Sequence, residues 1–156
     1  MKERTTQHDT FVIERHYPVK PARVFAAWAD PVAKARWFAG SGAAKSDGRE
    51  LDFRVGGRER VRTAVPGGPV HAFDGEYRDI VTDQRIVYCY DMYVGEARIS
   101  VSLATVEFYA EGSGTRMVFT EQVAFLDGYD DAGSRERGTQ KLLEQLAASL
   151  AAASLA

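Results

Sequence analysis

The stretch that decides the fold is the last one, DAGSRERGTQKLLEQLAASLAAASLA, residues 131–156. Leu142, Leu143, Leu146 and Leu150 recur at spacings of three and four residues, and alanines fill most of the gaps between them. This pattern predicts a long helix with one apolar face. The chain before Gly128 reads mainly as short strands, which form a sheet with apolar surface to cover. We therefore expect this helix and the sheet to enclose a cavity.

The first part of the chain predicts one strand followed by two short helices. Residues 1–9 are polar and predict a loose lead-in, whereas Phe11 to Tyr17 has the β-branched and aromatic content of a strand. Pro21 fits the first turn of a helix, and Asp30-Pro31 is the start signal of a second helix, an acidic N-cap followed by proline. That second helix is expected to carry Trp37 and Phe38, before a loop over residues 39–48.

From Glu50 the apolar residues alternate, which is the period of strands. The first strand over residues 50–55 is expected to turn at Gly56-Gly57 and to return over residues 58–65. Four further strands are predicted around residues 73–77, 86–92, 99–109 and 115–125. The sequence thus predicts a single α+β domain over residues 10–156, with a meandering antiparallel sheet of about seven strands.

The order of these elements, with the residues they carry, resembles the helix-grip superfamily, also called START-like or SRPBCC. More narrowly, it is similar to the branch named after the C-terminal domain of the activator of the heat shock protein 90 ATPase. The residues that carry the likeness are Trp28, Asp30-Pro31, Trp37-Phe38, Arg54 to Gly57, Phe73 to Tyr77, Arg85 to Tyr88, Gly114 to Arg116 and Phe119 to Glu121. The resemblance covers roughly residues 10–155.

The resemblance implies a curved sheet wrapped around the C-terminal helix, with an apolar cavity between the two. Members of the superfamily hold lipids, sterols, plant hormones or polyketide intermediates in that cavity, and the named branch consists mostly of small bacterial proteins. One departure concerns the mouth of the cavity. Members often place a tryptophan just after the glycine that opens the final helix, whereas here Gly138 is followed by Thr139-Gln140-Lys141. The mouth is therefore expected to be more open or more polar.

The candidate ligand-binding residues are aromatic and apolar side chains that alternation places on the inner face, together with one carboxylate. They are Trp37, Phe38, Phe53, Phe73, Tyr77, Tyr88, Tyr90, Met92, Phe108, Phe119, Glu121 and Leu143. Each aromatic residue, taken singly, is also explained by an ordinary core. Tyrosine hydroxyls are costly to bury without a partner, so three of them on one inner face indicate polar groups inside an apolar chamber, which is typical of a small-molecule site.

Glu121 is the titratable residue that stands out on the predicted inner face, in phase with Met117, Phe119 and Val123. A buried carboxylate must be paired, protonated or solvated through a pocket. One interpretation is a salt bridge with Arg60 or Arg62 across the sheet. The others are a group that orients a polar ligand and a general base.

Composition excludes several classes of function. The chain has 20 basic and 22 acidic residues, with no basic run dense enough to indicate nucleic-acid binding. Cys89 is the single cysteine, and the three histidines have no metal-ligand spacing, so neither a disulfide nor a metal site is predicted. No cofactor motif is present. The polar residues 1–10 and the absence of a long apolar run predict a cytoplasmic protein without a membrane span.

Three functions remain open at this point. The first is the binding of a small hydrophobic or amphipathic ligand between the sheet and the C-terminal helix. The second is an enzyme similar to aromatase/cyclase relatives, with Glu121 and a pocket tyrosine as the acid–base pair, although one such titratable group favours binding over catalysis. The third is a chaperone-related or other interaction module without a ligand. The alanines near the C-terminus also make a homodimer plausible.

Overall fold

The computed structural model describes residues 3–38, 45–64 and 66–154, and within these ranges it shows seven strands and three helices. In chain order they are β1 (Thr6–Tyr17), α1 (Pro21–Ala29), α2 (Pro31–Ala35), β2 (Lys45–Leu51), β3 (Arg58–Ala64), β4 (Val70–Val81), β5 (Arg85–Val94), β6 (Ala97–Glu111), β7 (Gly114–Leu126) and α3 (Ala132–Ser154). The predicted order of one strand, two short helices, six strands and one long helix is confirmed.

The strands form one antiparallel sheet in the order β1-β7-β6-β5-β4-β3-β2. Strands β2 to β7 therefore meander, and β1 returns to the far edge beside the last strand. Helix α3 packs against the sheet through Leu143, Leu146 and Leu150, which are almost fully buried. This is the α+β helix-grip architecture that the sequence predicts.

Two predicted boundaries are wrong. Strand β1 begins at Thr6, which pairs with Leu126, so the segment Thr6 to Asp9 belongs to the sheet and not to a loose lead-in. A long neighbouring strand, β7, supplies the backbone partners that these polar residues need. The loop predicted over residues 39–48 ends earlier than expected, because β2 begins at Lys45. Residues 39–44 of that loop lie outside the described residues.

The strand predicted over residues 50–55 is also misplaced, because β2 ends at Leu51. The backbone of the following segment bonds to other partners, with the Gly56 N–H donating to the carbonyl of Tyr77 at 2.8 Å. Gly56 has φ +84°, a conformation that glycine adopts without strain. A Cβ at Gly57 would lie 2.0 Å from the carbonyl oxygen of Asp52, so this tight turn also requires glycine there.

The helix start signals work as the sequence predicts. Pro21 stands at the first turn of α1, and the Asp30 carboxylate accepts a hydrogen bond from the Ala33 N–H at 2.9 Å. At α3 the Asp131 carboxylate accepts from the Ser134 N–H, also at 2.9 Å. Trp37 and Phe38 are correctly placed near α2 but follow it, since that helix ends at Ala35.

A cavity with one polar wall between the sheet and helix α3

A cavity of about 670 Å³ lies between the sheet and α3. Most of the predicted ligand-binding residues line it: Trp37, Phe38, Phe73, Tyr88, Tyr90, Met92, Phe119, Glu121 and Leu143. The alternation of strands β4, β5 and β7 brings these side chains to one face, and the apolar stripe of α3 lies opposite. Gly138, Thr139 and Lys141 of α3 also line the cavity.

The other three predicted residues lie away from this cavity. Phe108 packs against Phe25 of α1 with ring centroids 5.6 Å apart, and Phe53 contacts both Phe25 and Tyr77, at 5.6 and 4.9 Å. Tyr77 donates a hydrogen bond to a buried carboxylate, that of Glu59. These rings pack beneath α1, where the sheet is covered by the first helices and not by α3.

The rings that do line the cavity contact one another in a continuous series. Phe38 meets Phe73 edge-on at 5.1 Å, and Phe73 stacks on Tyr90 at 4.6 Å. Trp28, another lining residue, stacks with Phe119 at 6.4 Å and meets Trp37 at 4.8 Å. Such ring contacts each add about 0.5–1.5 kcal/mol beyond the area that they bury. The wall is therefore rigid and aromatic.

One wall of the cavity is polar and is centred on Glu121, which is 1% exposed. Its Oε2 accepts hydrogen bonds from the Tyr90 hydroxyl at 2.7 Å, the Ser102 hydroxyl at 2.8 Å and the Arg135 guanidinium at 3.2 Å. We call Tyr90, Ser102, Glu121 and Arg135 the cavity cluster. The prediction that Glu121 faces inward is confirmed.

The predicted ion-pair partners of Glu121 are wrong. Arg60 and Arg62 project from β3 towards Asp74, at 3.5 and 3.6 Å, on a more exposed part of the sheet. The partner is Arg135, which comes from the first turns of α3 and is itself buried. The sequence carries a usable signal for it, because Arg135 precedes Thr139 by four residues and Leu142 by seven, and so shares the buried helical face.

Arg135 is held by a second set of partners. Its second terminal nitrogen donates to the Ser100 hydroxyl at 2.6 Å and to the Asp130 carboxylate at 3.3 Å. Burial opposes the charge on this guanidinium, but Tyr90, Glu121 and Asp130 together outweigh it and raise the pKa of Arg135. Burial and the Glu121 charge raise the pKa of Tyr90, which therefore stays protonated and donates to Glu121.

Trp28 Nε1, Glu121 Oε1 and the Tyr88 hydroxyl belong to buried lining residues and have no hydrogen-bond partner within the described part of the chain. Glu121 Oε2 takes all three of the hydrogen bonds given above, which leaves Oε1 free. The hydroxyl of Tyr88, a residue 4% exposed, likewise has no hydrogen-bond partner in the described part of the chain. Burial raises the pKa of this tyrosine, and the neighbouring Tyr90, Glu121 and Glu59 raise it further.

A second buried ion pair lies outside the cavity lining. Lys34 of α2 donates to Glu59 of β3 at 2.6 Å, and the Tyr77 hydroxyl donates to the same Glu59 oxygen at 2.7 Å. We call these three residues the Lys34 cluster. The rings of Trp28 and Phe38 lie 5.4 and 4.4 Å from the Lys34 ammonium group. Sequence reasoning missed this cluster, although Glu59 alternates in phase with the buried Val61.

The described residues include no group of three or more histidine, cysteine, aspartate or glutamate side chains able to hold a metal ion. Within the same residues, no helix is long and apolar enough to cross a membrane. The chemistry of the site therefore rests on the aromatic wall and on the cavity cluster. Within that cluster, Glu121 Oε2 accepts all three hydrogen bonds, from Tyr90, Ser102 and Arg135.

The sheet wrapped against a long C-terminal helix, with a cavity between them, defines a helix-grip protein of the START/SRPBCC class. Residues 18–153 match the family described as Activator of Hsp90 ATPase homolog 1-like protein. The chain belongs to this family, as its resemblance predicts.

Solved structures agree with this assignment. An uncharacterised protein from Rhizobium leguminosarum is 52% identical with a TM-score of 0.92, over 96% of this chain and 98% of that one. A protein from Rhizobium loti is 48% identical with a TM-score of 0.86, over 93% and 99%. The AHSA1-like protein from Aeromonas hydrophila is 26% identical with a TM-score of 0.74, over 95% and 96%. No curated protein matches the chain.

Proposed function

We propose that this protein binds a small hydrophobic or amphipathic molecule in the cavity between the sheet and α3. The observation that carries the proposal is the cavity itself, about 670 Å³ in volume and lined mainly by aromatic and aliphatic side chains. Ligand sites typically enclose about 300–1,000 Å³, and they combine an apolar lining with a few placed polar groups.

A packed core is a poorer account of this space. Protein interiors are close-packed, and they contain few voids larger than a water molecule. A space of this size between the two layers gives the aromatic side chains around it no packing partner on one side. A hydrophobic ligand would supply that partner, and burying its surface stabilises the complex by about 25 cal/mol per Å² before the costs of association.

The binding proposal is also better supported than catalysis. Glu121 and Tyr90 are within hydrogen-bond distance of each other, as an acid–base pair would require, at 2.7 Å. However, the same Glu121 oxygen also accepts hydrogen bonds from Ser102 and Arg135, so the oxygen that Tyr90 contacts is already occupied by two further donors. We therefore assign these residues to recognition.

The test is a titration with Nile red, an uncharged dye whose fluorescence increases in apolar surroundings. Gly138 lines the cavity, and a Cβ added there would meet no heavy atom within 4 Å, so the indole of Gly138→Trp has room to enter. Glu144→Trp is the matched control, because Glu144 is exposed on the same helix and does not line the cavity.

We expect saturable binding of one dye molecule to the wild type and to Glu144→Trp. In Gly138→Trp the affinity should fall by about tenfold or more, which corresponds to at least about 1.4 kcal/mol. Equal binding by all three proteins would place the dye outside the cavity. The absence of saturable binding to the wild type would favour an interaction module without a ligand.

A further inference from the structure

The hydrogen bonds of the cavity cluster indicate which polar group a ligand should present, because they reach only one oxygen of the Glu121 carboxylate. Oε2 of Glu121 accepts from Tyr90, Ser102 and Arg135. Oε1 belongs to the same carboxylate and has no donor among the described residues, although the side chain is 1% exposed and lines the cavity. A ligand that donates a hydrogen bond to this unused acceptor is therefore favoured there.

The Tyr88 hydroxyl is the second unused group. It comes from β5, two residues from Tyr90, and it lines the cavity without a partner in the described part of the chain. A hydroxyl can donate or accept, so it can complete the hydrogen bonds of a ligand group that already donates to Glu121. An alcohol or phenol has both a donor and an acceptor and suits the two groups.

The charges around the cavity disfavour an anionic ligand. Glu121 and Asp130 are both held by the single guanidinium of Arg135, so these three groups together carry one negative charge. The other basic groups on the lining, His71 and Lys141, are exposed side chains at the periphery. A carboxylate or phosphate that enters the polar wall would meet two carboxylates and would lose its hydration. An ammonium group would also lose its hydration, and it would lie beside the Arg135 guanidinium that already pairs with Glu121, so a cation is disfavoured as well.

The geometry points to an uncharged ligand that carries a hydroxyl group, which donates a hydrogen bond to Glu121 Oε1 beside the Tyr88 hydroxyl, with its apolar body against the aromatic wall. This inference rests on the proposed binding function and adds the chemical class of the ligand. Fatty acids and phosphorylated lipids are disfavoured by the same arrangement.

Glu121→Gln provides a sharp test, because it converts an acceptor into a donor. The oxygen of the glutamine should occupy the position of Oε2, where Arg135, Tyr90 and Ser102 donate to it. Its NH₂ group then occupies the position of Oε1 and faces the cavity as a donor. An alcohol and an ether can both accept from this NH₂ group, so the variant should lose the preference of the wild type for the alcohol.

Glu59→Gln is the matched control. Glu59 is the other deeply buried carboxylate, 2% exposed, and its partners Lys34 and Tyr77 lie outside the cavity lining. Both variants lose a buried negative charge and both are expected to be less stable than the wild type. Only Glu121→Gln should lose the preference for the alcohol over the ether.

The probes are naphthol, its methyl ether, naphthoate and naphthylmethylammonium at neutral pH, titrated by calorimetry. A dodecyl series with the same head groups provides a second apolar skeleton, and circular dichroism checks that each variant is folded.

We expect the wild type and Glu59→Gln to bind the alcohol about tenfold or more tighter than its ether, since the ether cannot donate a hydrogen bond to the charged Glu121. Naphthoate and the ammonium compound should bind more weakly than the alcohol. Glu121→Gln should bind the alcohol and the ether about equally, and Tyr88→Phe should weaken the binding of the alcohol but keep it tighter than that of the ether.

The inference is overturned if the carboxylate or the ammonium compound binds as tightly as the alcohol, or if Glu121→Gln keeps the wild-type ratio of alcohol to ether affinity. If the wild type binds all head groups equally and Gly138→Trp blocks this binding, the proposed binding function is supported and only the inference about the hydroxyl group is wrong. If the wild type binds neither series, both the proposed binding function and this inference are wrong.

Discussion

The protein contains two buried ion pairs with similar chemistry and different surroundings. In the Lys34 cluster an ammonium group and a tyrosine hydroxyl share one oxygen of Glu59, beneath the two short helices. In the cavity cluster a guanidinium and a tyrosine hydroxyl share one oxygen of Glu121, beneath α3. The first is enclosed by rings and lies outside the cavity lining, whereas Glu121 and Arg135 both line the cavity.

This difference separates a structural role from a recognition role. Lys34 is 1% exposed, and its charge is matched by Glu59 and surrounded by aromatic rings, so the pair fixes α2 to β3. Glu121 is equally buried and likewise takes these hydrogen bonds on one oxygen, but it lines the cavity, where a ligand can contact its other oxygen. A buried polar group that is not fully satisfied by the protein is the kind of feature that a ligand completes.

The largest expected effect is a loss of stability at alkaline pH. Burial, reinforced by neighbouring carboxylates, raises the pKa of Tyr77, Tyr88 and Tyr90 above the ordinary value of 10.0. Since the folded state holds protons that the unfolded state releases, this stability is complete below about pH 10 and is lost as pH rises above it. Each buried tyrosine should contribute a slope of about 1.4 kcal/mol per pH unit. The three together should contribute roughly 4 kcal/mol per pH unit.

Urea unfolding at a series of pH values checks this, with Tyr77→Phe and Tyr90→Phe compared with the wild type. Equal reductions of the slope would mean that water is excluded from both clusters to the same extent. A smaller reduction for Tyr90→Phe would show that water reaches the cavity cluster. A wild-type stability that does not fall above about pH 10 would contradict the burial of these hydroxyls.

Breaking the Lys34 cluster should have the next largest effect. Lys34→Met leaves the Glu59 charge buried without its partner and should lower the free energy of unfolding by about 3–5 kcal/mol. Adding Glu59→Leu should restore much of the loss, because no unpaired charge remains. Arg85→Met is the control for an exposed pair, that of Arg85 with Asp79, and should cost less than about 1 kcal/mol. A loss that small for Lys34→Met would mean that the cluster is hydrated.

Phe119→Ala tests the packing of the aromatic wall of the cavity. The ring is 3% exposed and packs against Phe11 and Trp28, with centroids 6.3 and 6.4 Å away, while one side meets the cavity. We expect a loss of about 3 kcal/mol in chemical denaturation, the lower end for a buried phenylalanine, because the cavity already removes some of its contacts. A loss well under 1 kcal/mol would show that the ring contributes little packing.

The smallest effect is expected for Glu121→Gln without ligand. The glutamine oxygen keeps an acceptor for Arg135, Tyr90 and Ser102, and Arg135 retains Asp130, so stability should fall by only about 1–2 kcal/mol. A loss as large as that of Lys34→Met, measured in the same denaturation series, would assign the cavity cluster a structural role like that of the Lys34 cluster.

Periodicity and start signals predicted the fold because both report local chemistry. Alternation placed Tyr88, Tyr90 and Glu121 on the inner face, and Asp30 caps its helix as expected. The strand over residues 50–55 failed because Gly56 bonds to Tyr77, a contact that no local pattern encodes. The alanine-rich end of α3 as a homodimer contact stays a prediction.

The pairing of buried charges could not be predicted from the sequence for the same reason. Glu121 was recognised as buried, but its partner Arg135 depends on where α3 crosses the sheet. Lys34 was not recognised at all, since a lysine on a short helix is usually exposed. Alternation indicates which face a side chain occupies, whereas its partners depend on how the helices pack on the sheet.

Native mass spectrometry of the purified protein, followed by organic extraction, tests the central claim most directly. We expect the wild type and Glu144→Trp to carry a stoichiometric passenger, an uncharged molecule with a hydroxyl group, and Gly138→Trp to be free of it. A bare wild-type protein that also binds no member of the alcohol series would contradict the account, and the space beneath α3 would then have no role in ligand binding.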